Sequence, residues 1–371
     1  MTEPIRVGVV GTSAYTESMH LTNLKSHPGA YLTAICGRNG ERAAALARTF
    51  EIPTIYTDYR EMIASGAIQA LVVASPDDEH YPMTMAALDA GLHVICEKPL
   101  ALTIEQARTM YARAEAMAVK HMVYFTWRWL PITRYVRRLI DDGYIGRCFQ
   151  CNIRYTVGFA RTARYLWRLD NRRATGILGD LGSHVLDLAH WYVGPIKKVS
   201  GHDTAFIDHP GSADQAMDSA NDSAILAVEF ENGAQGVVQL TALAHIGERN
   251  QDLHMVLLGD DGTLEVDLTF DGGEIRGVRA GEKRFTTLTV PDDMWEAANR
   301  ANPLDVFTNQ SVGDRLFIDG IVEDRPIVPS FYDGLRVQEV IEAALHSHRT
   351  GRWISVPVTN AVVSDAAKGG A

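Results

Sequence analysis

Val7-Gly8-Val9-Val10-Gly11-Thr12-Ser13-Ala14-Tyr15-Thr16 decides the fold: a β-branched apolar run ends on a glycine and passes straight into a helical pattern through Met19–Lys25. The same unit then recurs along the chain. Leu32–Cys36, Ala70–Ala74, His93–Cys96 and His121–Tyr124 are near-continuous apolar segments, as strands buried on both faces should be. Gly40–Phe50, Tyr81–Ala90 and Thr103–Val119 lie between them with helical spacing. Strands alternating with helices predict right-handed βαβ crossovers and a doubly wound parallel sheet. The fold class is therefore α/β, with a Rossmann-like domain over residues 1–125.

Ligands of such a sheet bind beyond the carboxyl ends of its strands, so those turns are where chemistry is sought. In the first turn only Gly11 of the G-x-G-x-x-G fingerprint stands, with Ser13 and Thr16 in the other two places. Gly11 permits the tight turn, and Thr12 and Ser13 can donate to phosphate beside the amides of the helix start. A strand–helix turn without a ligand is the alternative. The second strand ends in Cys36-Gly37-Arg38-Asn39, without the carboxylate that grips the ribose 2′-hydroxyl of NAD. Arg38 suits the 2′-phosphate of NADP, which makes NADP the preferred cofactor and NAD the second. Otherwise Arg38 is a solvated residue at a helix start.

Glu97-Lys98-Pro99 follows the strand His93–Cys96 at once, which puts an acid and a lysine at the sheet's carboxyl edge. A lysine there can stabilise a developing alkoxide, and Lys98–Pro99 is one of the few bonds that can be cis at low cost. Further on, Gly179–Val193 has helical apolar spacing. Asp180 and His184, four apart, share a face with Asp187 nearby. A histidine with a carboxylate one turn away can serve as general acid/base, with a structural histidine as the alternative. Gly176, Gly179 and Gly182 weaken this helix and suggest close approach of a ligand or another backbone. No metal is expected, because Lys98 would repel a cation and no further His/Glu spacing accompanies the helix.

Composition narrows the function classes. At 371 residues the chain is long enough for two domains. Its net charge of −11 argues against a nucleic-acid or acidic-membrane partner, and no apolar run approaches the ~20 residues that span a bilayer. The N-terminus lacks the layout of a signal peptide, so the cytoplasm is the expected compartment. Cys148 and Cys151 form a C-x-x-C on a strand, where residues three apart point to opposite faces, so a redox pair is not expected.

Past Pro131 the pattern changes to a helix at Thr133–Asp141, a long strand at Phe149–Val157 and, from Lys197 on, strands in hairpins. Asn232-Gly233 and Asp261-Gly262 sit between strand-like runs, a strong hairpin signal. Residues 126–356 therefore read as an α+β domain with a large, mainly antiparallel or mixed sheet, whose other face is either solvated or paired with a second subunit. Its later helices are expected at Ala301–Phe317 and Asp333–Arg349, and residues 357–371 read as a loose tail.

Glu97-Lys98-Pro99, Trp127-Arg128 with Pro131, Trp167-Arg168 and Gly-x-x-Gly-Asp-x-Gly-Ser-His-x-x-Asp from Gly176 together resemble the Gfo/Idh/MocA oxidoreductases, from Val7 to about Val356. The resemblance implies that Lys98, Asp180 and His184 form a catalytic trio. His184 is then the general acid/base, Lys98 binds the reacting oxygen and Asp180 holds a substrate hydroxyl. It also implies that Ser75 and His80 line the cofactor side and that Glu97 contacts the nicotinamide ribose. Trp127, Arg128, Trp167 and Arg168 are expected near cofactor or substrate. The substrate is expected to be a sugar, inositol or related polyol, and the protein a homodimer or homotetramer through its C-terminal sheet. A cofactor-binding sensor or scaffold without turnover is the alternative function.

Overall fold

The computed structural model describes residues 3–212, 216–269 and 272–357; the expected tail beyond residue 357 lies outside the described residues. The chain forms two compact units. One holds the described residues of Met1–Trp129 with Trp295–Asn299 and Leu304–Leu335. The other holds the described residues of Leu130–Met294 with Arg300–Pro303 and those from Arg336 on.

The first unit is built on strands β1 (Ile5–Val10), β2 (Ala30–Cys36), β3 (Thr54–Tyr56), β4 (Ala70–Val73), β5 (His93–Cys96) and β6 (His121–Val123). They lie in the order β3-β2-β1-β4-β5-β6 with every pair parallel. This is the doubly wound sheet expected from the sequence. Val7, Val9, Leu71, Val72, Val94 and Ile95 are buried, as strands covered on both faces require. Side chains set the starts of the helices between strands. The Asn39, Asp58 and Thr103 oxygens accept from the amides of Arg42, Arg60 and Gln106 at 3.0, 2.8 and 3.2 Å. The strand order reverses between β1 and β4, the switch point at which such sheets open a crevice.

One expected helix is broken. Ala301–Phe317 reads as continuous in sequence, yet helical structure stops after Asn309 and resumes at Asp314. Gly313 stands at the restart with φ +55°, and a Cβ there would lie 2.6 Å from the Tyr124 hydroxyl. The backbone leaves the helical path so that the chain can approach Tyr124 closely.

The second unit carries a nine-stranded sheet of β7 (Cys148–Thr156), β8 (Ile196–Thr204), β9 (Ser223–Phe230), β10 (Gln235–Thr241), β11 (Asp252–Gly259), β12 (Gly262–Thr269), β13 (Gly272–Arg279), β14 (Thr286–Thr287) and β15 (Ile354–Ser355). The order is β14-β13-β12-β11-β7-β10-β9-β8-β15, and all pairs are antiparallel but β7 with β10. The expected hairpin joins β9 to β10, with Gly233 at φ +86° in its turn. Helices Pro131–Asp141 and Ser183–Val193 pack on the buried face. This gives the mainly antiparallel α+β architecture expected for the C-terminal half.

The C-x-x-C reading needs correction. Cys148 and Cys151 do not point to opposite faces; both are buried. The β7–β11 register shifts between Leu258 and Gly259, so Phe149 is an extra residue and the alternation resets there. Burial pushes both thiols up in pKa, which leaves them inert free cysteines.

Candidate active site

The turn after β1 is shaped by contact with its neighbours. Gly11 has φ +125°, and a Cβ there would lie 2.2 Å from the Ala74 carbonyl oxygen. Only glycine fits. Ser13 does not leave its hydroxyl open in the way that the fingerprint reading expects. Its Oγ accepts from the Thr16 amide at 3.0 Å and lies 2.9 Å from Thr16 Oγ1, so the two residues standing for glycines cap the helix start themselves. Thr12 has a different job. Its methyl would lie 2.4 Å from a Cβ at position 37, so it fills the space that a side chain at the end of β2 would need. Arg38 beyond it is exposed.

Ser75 and Glu97 follow β4 and β5 at the same edge of the sheet. Ser75 Oγ is buried without a protein partner, a polar atom available to a ligand. His80 is fully buried, with Nδ1 2.8 Å from the Pro99 carbonyl and Nε2 3.0 Å from that of Ser75. It therefore ties the loop after β4 to the loop after β5, and its effect on any ligand passes through those loops. Glu97 Oε2 accepts from the Lys98 amide at 3.2 Å. Lys98 is partly exposed, and the Lys98–Pro99 bond is cis. Arg128, expected near the cofactor, is buried and donates to Asp333 Oδ1 at 2.9 Å, while Trp127 is buried beside it.

In the second unit the first glycine of the segment Gly176–Gly182 has a local cause. At Gly176, φ +68°, a Cβ would lie 2.5 Å from the Asn221 carbonyl oxygen. Asn221 grips the helix start: its carbonyl accepts from the Ile177 amide at 2.9 Å and its Oδ1 from that of Leu178 at 3.0 Å. The close approach is thus that of another backbone. Leu178–Gly182 is a π-helical turn running into the α-helix Ser183–Val193, a distortion frequent at functional sites. Asp180 lies on the π turn, and His184 and Asp187 are buried on the α-helix. Arg168 Nε is 3.4 Å from Asp180 Oδ1, and its guanidinium stacks 4.3 Å from the Trp167 ring centre. Trp167, Arg168 and Asp180 are therefore one cluster. Among the described residues no group of three or more His, Cys, Asp or Glu side chains is placed to hold a metal ion.

Residues 5–125 match an oxidoreductase family with an NAD-binding Rossmann fold, and residues 137–356 match that family's C-terminal alpha/beta domain. The chain belongs to the Gfo/Idh/MocA oxidoreductases. Among its relatives is levoglucosan dehydrogenase of Pseudarthrobacter phenanthrenivorans, 28% identical in an alignment 360 residues long that covers 88% of this chain and 90% of that protein. D-apiose dehydrogenase of Paraburkholderia graminis is 28% identical over 343 residues, 91% of this chain and 86% of that one. A solved levoglucosan dehydrogenase in complex with NADH and levoglucosan has a TM-score of 0.85 to this chain at 26% identity, covering 96% of this chain and 100% of its own.

This Gfo/Idh/MocA chain also has a charged group at the carboxyl edge of its parallel sheet that motif reading passes over. His20, fully buried, donates from Nδ1 to Asp314 Oδ1 at 2.9 Å and from Nε2 to Glu97 Oε1 at 3.1 Å. Burial works against its charge, but the Asp314 and Glu97 carboxylates outweigh it and push its pKa up from the usual 6.5 to about 10. Tyr124 donates to Asp314 Oδ2 at 2.9 Å. Arg42 was missed as well; it donates to the Thr12 carbonyl at 3.3 Å and pairs with Glu17 beside the first turn. A folded-state pKa above the unfolded one gives stability that is complete below the unfolded value and lost as pH rises through the folded value. The melting-temperature advantage of wild type over His20→Gln should therefore be largest near pH 6 and shrink steadily toward pH 10. A difference that stays flat across that window, measured by calorimetry, would mean His20 is neutral.

Proposed function

We propose that this chain transfers a hydride between the nicotinamide of NAD(P) and a carbinol or carbonyl carbon of a sugar, inositol or related polyol. The observation that carries this reading is the gathering of Gly11, Ser75 and Glu97-Lys98 at the carboxyl ends of the adjacent strands β1, β4 and β5. Gly11 leaves room for close approach, and Ser75 Oγ offers an unused buried polar atom, so the edge fits a dinucleotide. Levoglucosan and D-apiose dehydrogenases among the relatives support a sugar-like substrate.

The bound nicotinamide supplies the hydride acceptor or donor. In this reading residues 1–125 hold it and residues 126–356 bring the substrate. Glu97 accepts from the ribose hydroxyls next to the nicotinamide. In the oxidising direction the substrate hydroxyl gives its proton to His184. The His184 Nδ1 atom is buried, which leaves Nε2 to carry the exchanged proton. Lys98 holds the developing alkoxide, and Asp180, steadied by Arg168, holds a neighbouring substrate hydroxyl. Trp167, stacked under Arg168, offers the sugar an apolar face. General acid–base catalysis contributes about 10²–10⁴-fold. Lys98→Ala and His184→Ala should each cost that much in kcat/KM with whichever sugar or polyol of a panel responds at 340 nm. A double variant that still turns over removes both residues from the chemistry. Tight nucleotide binding with no turnover on the whole panel makes the protein a sensor.

NADP(H) is the preferred cofactor in this proposal. With Thr12 filling the space at Gly37, no carboxylate stands at the end of β2, and Arg38 is free to meet a 2′-phosphate. The solved levoglucosan dehydrogenase was bound to NADH, so the two proteins are expected to differ. Exposed ion pairs contribute under about 1 kcal/mol, which corresponds to roughly a fivefold preference. Dissociation constants for NADPH and NADH on wild type and Arg38→Ala measure it. Equal affinities in wild type, or an unchanged ratio in the variant, leave Arg38 a solvated residue.

A homodimer or homotetramer through the nine-stranded sheet completes the proposal. Ile225 and Val237, on the adjoining strands β9 and β10, are 50% and 43% exposed. Light scattering should give the mass of two or four chains in wild type and of one chain in Ile225→Lys/Val237→Lys. A wild-type mass of one chain refutes it.

A further inference from the structure

Glu97 sits where this reading puts the nicotinamide ribose, and an acceptor is useful there only if its carboxylate keeps its orientation. The groups around it are specific. Oε1 accepts from His20 Nε2 at 3.1 Å and Oε2 from the Lys98 amide at 3.2 Å. The Tyr15 hydroxyl, 2.9 Å from Thr126 Oγ1, lies beside the same carboxylate. His20 is in turn anchored from behind by Asp314, which also accepts from Tyr124. The His20 ring packs against those of Tyr15 and Tyr124, at 5.9 and 4.5 Å between centres. Tyr124, fully buried, is held protonated by burial first and by the Asp314 carboxylate second. His20 is thus the charge that faces Glu97 from the interior.

We propose that His20 is a positioning residue for the cofactor: held between Asp314 and Glu97, it fixes the orientation of the Glu97 carboxylate and thereby sets nucleotide affinity. The inference rests on the cofactor reading above. It adds that a residue outside the glycine turn, and a second one nearly three hundred positions away, control binding at this edge. Asp314 keeps His20 charged, His20 holds Glu97, and Glu97 meets the ribose. Without the His20 donor, Glu97 Oε1 loses the contact that holds it, and a carboxylate that turns away is lost to the ribose as an acceptor.

The test is a double-mutant cycle read by NADPH and NADH dissociation constants from nucleotide fluorescence, with melting temperatures recorded alongside. His20→Gln should weaken binding of the preferred nucleotide about tenfold in wild type and less than about twofold in a Glu97→Gln background, because coupled residues depart from additivity. Asp314→Asn, which lowers the charge on His20 but leaves it in place, should show the same pattern and serves if His20→Gln does not fold. A purely structural role predicts equal penalties in both backgrounds, and that result overturns the proposal. So does a His20→Gln protein that binds as tightly as wild type. A wild type that binds neither nucleotide overturns the cofactor reading itself, which is a different outcome from binding with additive penalties.

Discussion

A histidine closed off from water between two carboxylates is the constraint on which the first unit depends. Removing one partner of a buried ion pair costs about 3–5 kcal/mol, because the remaining charge stays buried and unmatched. Here the three members come from positions 20, 97 and 314, and each belongs to a different part of the unit. His20 lies on the first helical stretch, Glu97 follows β5 and Asp314 starts the helix Asp314–Val322. The group therefore joins a late segment of the chain to the parallel sheet laid down by the first 125 residues. Gly313 and Tyr124 serve the same join. The glycine lets the chain pass the tyrosine hydroxyl, and the tyrosine then donates to the carboxylate that the glycine precedes.

Much of the fold is written in local pattern, and it was legible for that reason. β1, β2, β4, β5 and β6 are apolar runs covered on both faces, and β9 to β12 alternate around Asn-Gly and Asp-Gly turns. What was missed lacked such a pattern. β3 is three residues long, with none of them fully buried, so no periodicity marks it. The break between Asn309 and Asp314 reflects a contact with Tyr124, which no local rule contains. The bulge at Phe149 likewise depends on register against β11 and overrode a correct rule about alternation.

The candidate site divides along the same line. Lys98, Glu97, Asp180 and His184 stand out in the sequence because each lies beside a strand end or within a helix whose pattern is local, whereas Ser75 enters only through the family resemblance. Partnerships do not show in spacing. His80, Arg128 and Ser13 have the residue types of ligand-binding groups, yet their polar atoms are taken by Pro99 and Ser75, by Asp333 and by Thr16. Conversely, His20 and Asn221 carry no motif, and their importance comes from partners that the fold supplies. A buried His twenty residues into a doubly wound domain is a weak signal until Asp314 is in place beside it.

Both candidate sites begin on a π-helical turn, Thr16–Leu21 after β1 and Leu178–Gly182 before His184. A π turn accommodates one residue more than the α-helix it interrupts and leaves backbone groups out of the usual ladder, which is why it persists where geometry matters more than helix stability. At the first turn two sets of contacts meet within a few residues. Ser13 and Thr16 must close the helix start where the common fingerprint has glycines, and His20 must still turn inward to reach Glu97 and Asp314. A regular helix would rotate the residues beyond Thr16 by the ~100° that one position represents. The altered fingerprint and the buried histidine thus share one short stretch of chain: Ser13 and Thr16 close its start, and His20 on the π turn reaches Glu97 and Asp314.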